Sequence, residues 1–191
     1  MHFNEQIHIP PHDMSRETWL AERRKGLGGS DAAAACGLSR FTSPRQLFHD
    51  KRGDLEEQPD NDSFYWGRKL EGIVLEEAEQ QTGLEMAPYK YMIWSQKYPW
   101  AFVNLDGLIY ESGDPVGIVE CKTAGWIKSD EWGSSGTDLM PREYVMQCQH
   151  ALAVTALQFA ILAVLIGGNQ FRWYRIQRNE AMIKKIMLSV S

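Results

Sequence analysis

In the run "GIVECKTAG", residues 117–125, a carboxylate and an amine interrupt an apolar pattern: Glu120 and Lys122 stand two residues apart. Side chains alternate across a strand, so these two share one face while Val119 and Cys121 take the other. Upstream lies "NLDG", residues 104–107, and "ESGDP", residues 111–115, reads as the turn between them. With the hairpin centred on Gly113, Asp106 falls directly opposite Glu120, since both lie seven residues away. Opposed residues share a face, their Cβ atoms ~4.5–5.5 Å apart. Two carboxylates so placed repel unless a cation bridges them. Mg2+ does so with one or two carboxylates plus waters and a phosphate. A lysine beside such an ion can position a water and stabilise charge developing on phosphorus oxygens. The set therefore suits metal-assisted phosphodiester hydrolysis. A bulge at Gly107 would shift the register, and alone the Glu120–Lys122 pair reads more simply as a surface ion pair.

The elements that must position these residues are legible as changes of period. Asp13 or Ser15 can cap a helix running to about Lys25. In "GLGGSDAAAACGL" Ser30 or Asp31 starts an alanine-rich helix that Gly37 stops. "SPRQLFHDKRG" is a short helix with Pro44 near its start and Gly53 at its end. A polar loop, "EEQPDNDS", precedes a long helix from about Phe64 to Gln81, with Leu70, Val74, Leu75 and Ala78 on one face. After Pro88 the period becomes two. "YKYMIW", "AFVNLDGLIY" and "VGIVECKT" read as three strands of a meander. The connection from Ala124 to Met140 is long enough to be functional or mobile. Within it, packing of Trp126 and Trp132 onto the domain is favoured over a base-stacking role. Pro141 opens a helix to about Thr155, "QFAILAVLI" and "QFRWYRIQR" form a strand pair turned by "GGN", and "NEAMIKKIMLSVS" starts a last helix. This order predicts an α/β fold with a mixed sheet. Residues 1–14 read as a flexible lead-in and residues 15–191 as one domain, its C-terminal helix possessing no stop signal and so expected to be truncated.

The composition narrows the function classes. The chain has 191 residues, 43% hydrophobic, 24% charged and 11% aromatic, with formal charge −5. That is ordinary for a globular domain and unlike a protein that coats nucleic acid by bulk charge. Cys36, Cys121 and Cys148 are widely spaced, which argues against a disulfide framework, a zinc site or an iron–sulfur cluster. His150 has no second histidine or cysteine at ligand spacing and reads as structural. No secretory leader or membrane-spanning run is recognised, so a cytoplasmic protein without a membrane partner is expected.

"NLDG" followed by "GIVECKTA" resembles the active-site hairpin of the PD-(D/E)xK nuclease superfamily. "ERRKGLGGSDAAAACGLSRFTSPRQLF", "WGRKLEGIVLEEAEQQTG", "KSDEWG" and "YVMQCQHALAVTAL" follow the order seen in YqaJ-type phage recombination exonucleases, which are similar to lambda exonuclease. The resemblance covers roughly residues 15–180. It implies a restriction-endonuclease-like core: a central mixed β-sheet flanked by helices. It implies Asp106 and Glu120 as metal carboxylates, the Cys121 backbone carbonyl as a further ligand, Lys122 as the catalytic lysine and Glu71 as an additional acid. Arg23 and Ser30 resemble residues that bind the terminal 5′-phosphate; Ser30 is also a good helix cap, and a helix N-terminus after glycines binds phosphate. Tyr144, Gln147 and Gln149 resemble a helix motif lining the site. The implied activity is Mg2+-dependent, with Mn2+ able to substitute: 5′-to-3′ degradation of one strand of double-stranded DNA from its ends, leaving 3′ tails for a single-strand annealing protein. A ring trimer is implied as well. The superfamily's proline before the first aspartate is replaced by Leu105. An endonuclease with the same site, and a non-catalytic DNA-binding scaffold, are the alternatives.

Overall fold

The computed structural model describes residues 3–9, 15–56 and 59–189. Among these the elements are, in chain order, β1 (Ile7–Ile9), α1 (Arg16–Arg24), α2 (Ala32–Ala35), α3 (Pro44–Arg52), α4 (Asp62–Thr82), β2 (Glu85–Pro88), β3 (Met92–Trp94), β4 (Phe102–Asn104), β5 (Gly107–Glu111), β6 (Asp114–Ala124), α5 (Arg142–Thr155), β7 (Phe159–Ile166), β8 (Gln170–Gln177) and α6 (Glu180–Ser189). The main sheet has the order β2-β5-β6-β7-β8. Its β6–β7 pair is parallel and its other pairs antiparallel. Parallel neighbours need a crossover, and α5 supplies it. A small antiparallel sheet, β1-β3-β4, lies beside it.

Both faces of the main sheet are covered, which is why β7 reads as an unbroken apolar run. Val74, Leu75 and Ala78 of α4 pack with Ile109, Val119, Ile161 and Ala163 on one face. Cys148, Ala151 and Leu152 of α5 pack with Leu108, Ile118, Leu162 and Val164 on the other. Alternation along each strand sends neighbouring residues to opposite layers. Glu120 and Lys122, in step with Ile118, fall on the α5 side.

The β5–β6 hairpin reaches the expected pairing by another route. Ser112 and Gly113 both have positive φ, 53° and 86°. They form a two-residue turn of the primed kind that suits twisted strands, with Glu111 against Asp114. The register then shifts between Ile109 and Tyr110, leaving Val116 as a bulge, and Gly107 faces Val119. One step further along that register, Asp106 comes opposite Glu120. The turn is therefore centred between Ser112 and Gly113, and the bulge makes up the difference.

Other expectations are revised. "AFVNLDGLIY" is two strands rather than one, broken at Leu105 and Asp106, with β4 in the small sheet and β5 in the large one. The break coincides with a close approach: a Cβ on Gly107 would stand 2.6 Å from Leu75 Cδ1 and 2.9 Å from Ala87 O. Only glycine lets β5 enter there, between α4 and β2. β2 itself, a short edge strand ending in Pro88, lies in a stretch with too little alternation to signal it. The segment 1–14 is not a loose lead-in over residues 3–9. Phe3 is buried, and β1 pairs with β3, Ile7 facing Trp94. Residues 1–2 and 10–14 of that segment, including the alternative cap Asp13, lie outside the described residues, as do 57–58 of the polar loop and 190–191. Ser15 caps α1, accepting from the Thr18 N–H at 3.1 Å.

Candidate active site

The site forms where β6 outlasts β5. β5 begins at Gly107, opposite Val119, while β6 continues to Ala124, paired with β7 throughout. Beyond Val119 the β5 side of β6 lacks its ladder partner, and Asp106 takes that place. The Cys121 N–H donates to Asp106 Oδ2 at 2.7 Å. The carbonyl of a strand residue points to the same side as its N–H, so Cys121 C=O faces the same opening. Glu120 is 2% exposed. Its Oε1 accepts from Lys122 Nζ at 2.5 Å and from Gln147 Nε2 of α5. Glu71 lies one turn before Leu75 on the sheet-facing stripe of α4 and reaches the same region from the other layer.

Glu120 is out of water, Asp106, Lys122 and Glu71 are half-buried, and the four lie close to one another. Burial pushes the Glu120 carboxyl up to about 7; Lys122 opposes the shift, and Asp106 and Glu71 add to it. Burial also pushes Glu71 up to about 7, reinforced by Asp106. Asp106 is raised by burial, against the pull of Lys122 and the Cys121 N–H. Burial acts to lower Lys122, but Glu120 and Asp106 outweigh it and hold the ammonium above the ordinary lysine range. Three carboxylates thus compete for one internal cation, which leaves the cluster short of positive charge.

The remaining candidate residues separate into groups. A Cβ on Gly29 would be 3.2 Å from Gln147 Cγ, so the Gly28–Gly29–Ser30 turn lies against the residue that holds Glu120. Ser30 is exposed there. Asp31, beside it, is buried and accepts from the Gly28 N–H at 2.9 Å. Arg23 lies 3.6 Å from Asp31, and Lys51 2.6 Å from it. Asp31 thus ties Arg23 and Lys51 to the turn that carries Ser30, and that turn lies beside Gln147. Tyr144 is in the site as well: Lys122 Nζ lies 5.3 Å from its ring centroid. Gln149 is not. It is 2% exposed, donates to Gln177 O at 2.7 Å and accepts from the Asn179 N–H at 2.9 Å, tying α5 to the start of α6. Its neighbour two residues away faces the site because a helix turns about 100° per residue. His150, fully buried, bonds Phe102 O at 3.0 Å and is structural. Arg40 escapes sequence reasoning: it pairs with Glu131 and Glu143, about ninety and a hundred positions away.

The donor set fits a hard divalent cation. Among the described residues no three of His, Cys, Asp and Glu form a ready metal-binding cluster. The fit rests instead on two carboxylates and one carbonyl: Asp106, Glu120 and Cys121 C=O. All three are oxygen donors, as Mg2+ prefers. Burial pushes the Asp106 and Glu120 carboxyls toward their neutral forms, and a bound cation would favour the ionised ones.

Residues 18–158 match the model of the YqaJ-like viral recombinase domain. The chain belongs to that family. An uncharacterized protein YqaJ of Bacillus subtilis (strain 168) is 37% identical over 177 residues, covering 91% of this chain. The chain spans 54% of that relative's length. The YqaJ-like fold is shared with solved nucleases. LHK-Exo in complex with dAMP superposes with a TM-score of 0.69 at 22% identity, over 92% of this chain and 89% of the other. A second structure of this alkaline exonuclease, from Laribacter hongkongensis, gives 0.68 at 20% identity over 91% and 88%. A phage related exonuclease from Haemophilus somnus 129PT gives 0.63 at 14% identity over 86% and 90%. Likenesses this distant in sequence establish the shared α/β fold alone. Among the described residues no helix is long and apolar enough to cross a membrane.

Proposed function

We propose that this chain is a divalent-metal-dependent exonuclease that degrades one strand of double-stranded DNA from a 5′ end and leaves a 3′ single-stranded tail. The observation that carries this reading is the opening at the edge of β6, where Asp106, Glu120, Lys122 and the Cys121 carbonyl converge. Membership of a viral recombinase family supports it, as does the fold shared with alkaline exonucleases, one of which binds dAMP.

Asp106, Glu120 and the Cys121 carbonyl would hold the ion, Mg2+ or in its place Mn2+. When bound, the ion supplies Lewis acidity to the scissile phosphate and lowers the pKa of water. Lys122 would present its ammonium to the attacking water and offset negative charge building on phosphate oxygens. Gln147 fixes Glu120 through its amide, so the carboxylate is aimed before substrate arrives. Glu71 adds a third carboxyl that can accept a proton near neutrality. Arg23 and Ser30 would hold the terminal 5′-phosphate; the pairing with Asp31 keeps the guanidinium oriented. Assembly into a ring trimer and delivery of the tail to an annealing protein belong to the same proposal.

Digestion of duplex DNA with Mg2+ tests it. Linear DNA with 5′-phosphate ends should lose one strand, 5′-hydroxyl ends should be poorer substrates, and closed circles should survive. Asp106→Ala should be inert. Cutting of the circle would make the enzyme an endonuclease, and inactivity of a folded protein with every substrate would favour a scaffold.

A further inference from the structure

The connection over residues 125–140 is tied down at several points. Arg172 of β8 donates to the carbonyls of Ser129 at 3.4 Å, Trp132, and Gly133 at 3.3 Å. Tyr174 Oη donates to Gly133 O at 2.5 Å. Arg40 spans Glu131 in this connection and Glu143 at the start of α5, at 2.6 and 2.5 Å. These bonds hold Trp132, 3% exposed, against two tyrosines. Its ring stacks on Tyr144 with centroids 5.4 Å apart and planes 19° apart, and lies 5.8 Å from Tyr174. Tyr144 then presents its ring to the Lys122 ammonium at 5.3 Å.

This row of rings answers a mechanical need. β6 fixes the Cα of Lys122, but a four-carbon stem leaves the ammonium free to wander. Glu120 holds it by one bond. An aromatic face beside the ammonium restrains it from a second direction without consuming a proton, because the attraction is to the ring quadrupole. Groups that act on a reacting centre gain from being locked by packing before substrate binds.

We propose that Tyr144, backed by Trp132, is a positioning residue for Lys122: its ring, not its hydroxyl, keeps the ammonium aimed into the site. The assignment rests on the nuclease reading above. The test compares Tyr144→Phe and Tyr144→Met, with two readouts. One is the NMR shift of the Lys122 ε-methylene protons in lysine-labelled protein, which a neighbouring ring moves upfield. The other is kcat and KM on linear duplex DNA. Tyr144→Phe should keep the upfield shift and lose far less turnover than Tyr144→Met. Tyr144→Met should lose the shift and about tenfold or more of kcat at unchanged KM, as a misplaced catalytic group does. Wild-type turnover in Tyr144→Met would overturn the assignment, as would an equal loss in Tyr144→Phe. If Tyr144→Met does not fold, an unshifted Lys122 resonance in the wild type overturns it alone. A wild type that cuts no DNA of any form would instead overturn the nuclease reading, and the role of Tyr144 with it.

Discussion

Glu120 and Lys122 are placed so that neither works without the other. Removing the amine strands a buried carboxylate beside two more. Lys122→Ala is therefore expected to fold and bind DNA but to lose about 10²-fold to 10⁴-fold in turnover, the range for a positioned proton-transfer group. Gel-shift affinity beside single-turnover cleavage measures both halves, and near wild-type cleavage would remove Lys122 from the mechanism. The carboxyls also set a pH dependence of stability. In the folded chain Glu120 and Glu71 are raised to about 7, above their unfolded values. The native state then binds more protons than the unfolded state between the ordinary glutamate pKa and about 7, so stability falls as pH rises through that window. Metal-free protein should melt lower at about pH 8 than at about pH 6, and Mg2+ should raise Tm more at the higher pH, where the ion meets ionised ligands. A melting curve indifferent to Mg2+ at both values would exclude Asp106 and Glu120 as ligands.

Two elements decide whether those side chains meet. The entry of β5 depends on Gly107, where a methyl group would press on Leu75 and on the Ala87 backbone. Gly107→Ala should cost about 1–3 kcal/mol by overpacking, read as a lower denaturant midpoint. Because Asp106 precedes it, cleavage should fall further than the loss of folded protein explains. The anchoring of residues 125–140 depends on Arg172. Arg172→Leu leaves part-buried carbonyls without their charged donor and should cost about 1.5–3 kcal/mol. Faster amide exchange confined to residues 125–140 would mark the loss as local, and unchanged exchange would show that Arg172 does not hold that segment. Legibility also differs between elements. α3, α4 and β7 are read well because capping, period and composition agree in each. β2 and the break at Leu105–Asp106 are not, because the cause of each is a neighbour distant in sequence: α4 presses on Gly107, and a new sheet takes β4.

For the molecule as a whole, charge is local rather than global. The chain is acidic overall, at −5. Arg23, Lys51 and Ser30 nonetheless gather around Asp31, next to Gln147 and the carboxylates. Arg23→Ala should lower the preference for 5′-phosphorylated over 5′-hydroxyl ends while cleavage of the latter stays unchanged. An unaltered preference would take Arg23 out of end recognition. The Glu120–Lys122 pair and Asp106 are legible because a strand's alternation and a hairpin's symmetry are local rules. Gln147 and Gln149 were not separable that way, since which one faces the carboxylates depends on the docking of α5. Arg40 and Arg172 carry no sequence signal, because their partners are backbone carbonyls or acids from remote segments.

The hairpin has a genetic consequence. Its two-residue turn and its single bulge at Val116 are offsets of opposite effect on which residues meet. Losing Val116 alone would remove the bulge and still leave Asp106 across from Glu120, whereas one residue added between Gly117 and Ile118 would put Asp106 opposite Val119 and send the aspartate to the wrong layer. Losing Val116 from a chain that carries the addition should restore the count between the turn and Glu120. An insertion that inactivates alone should therefore be suppressed by loss of the bulge residue.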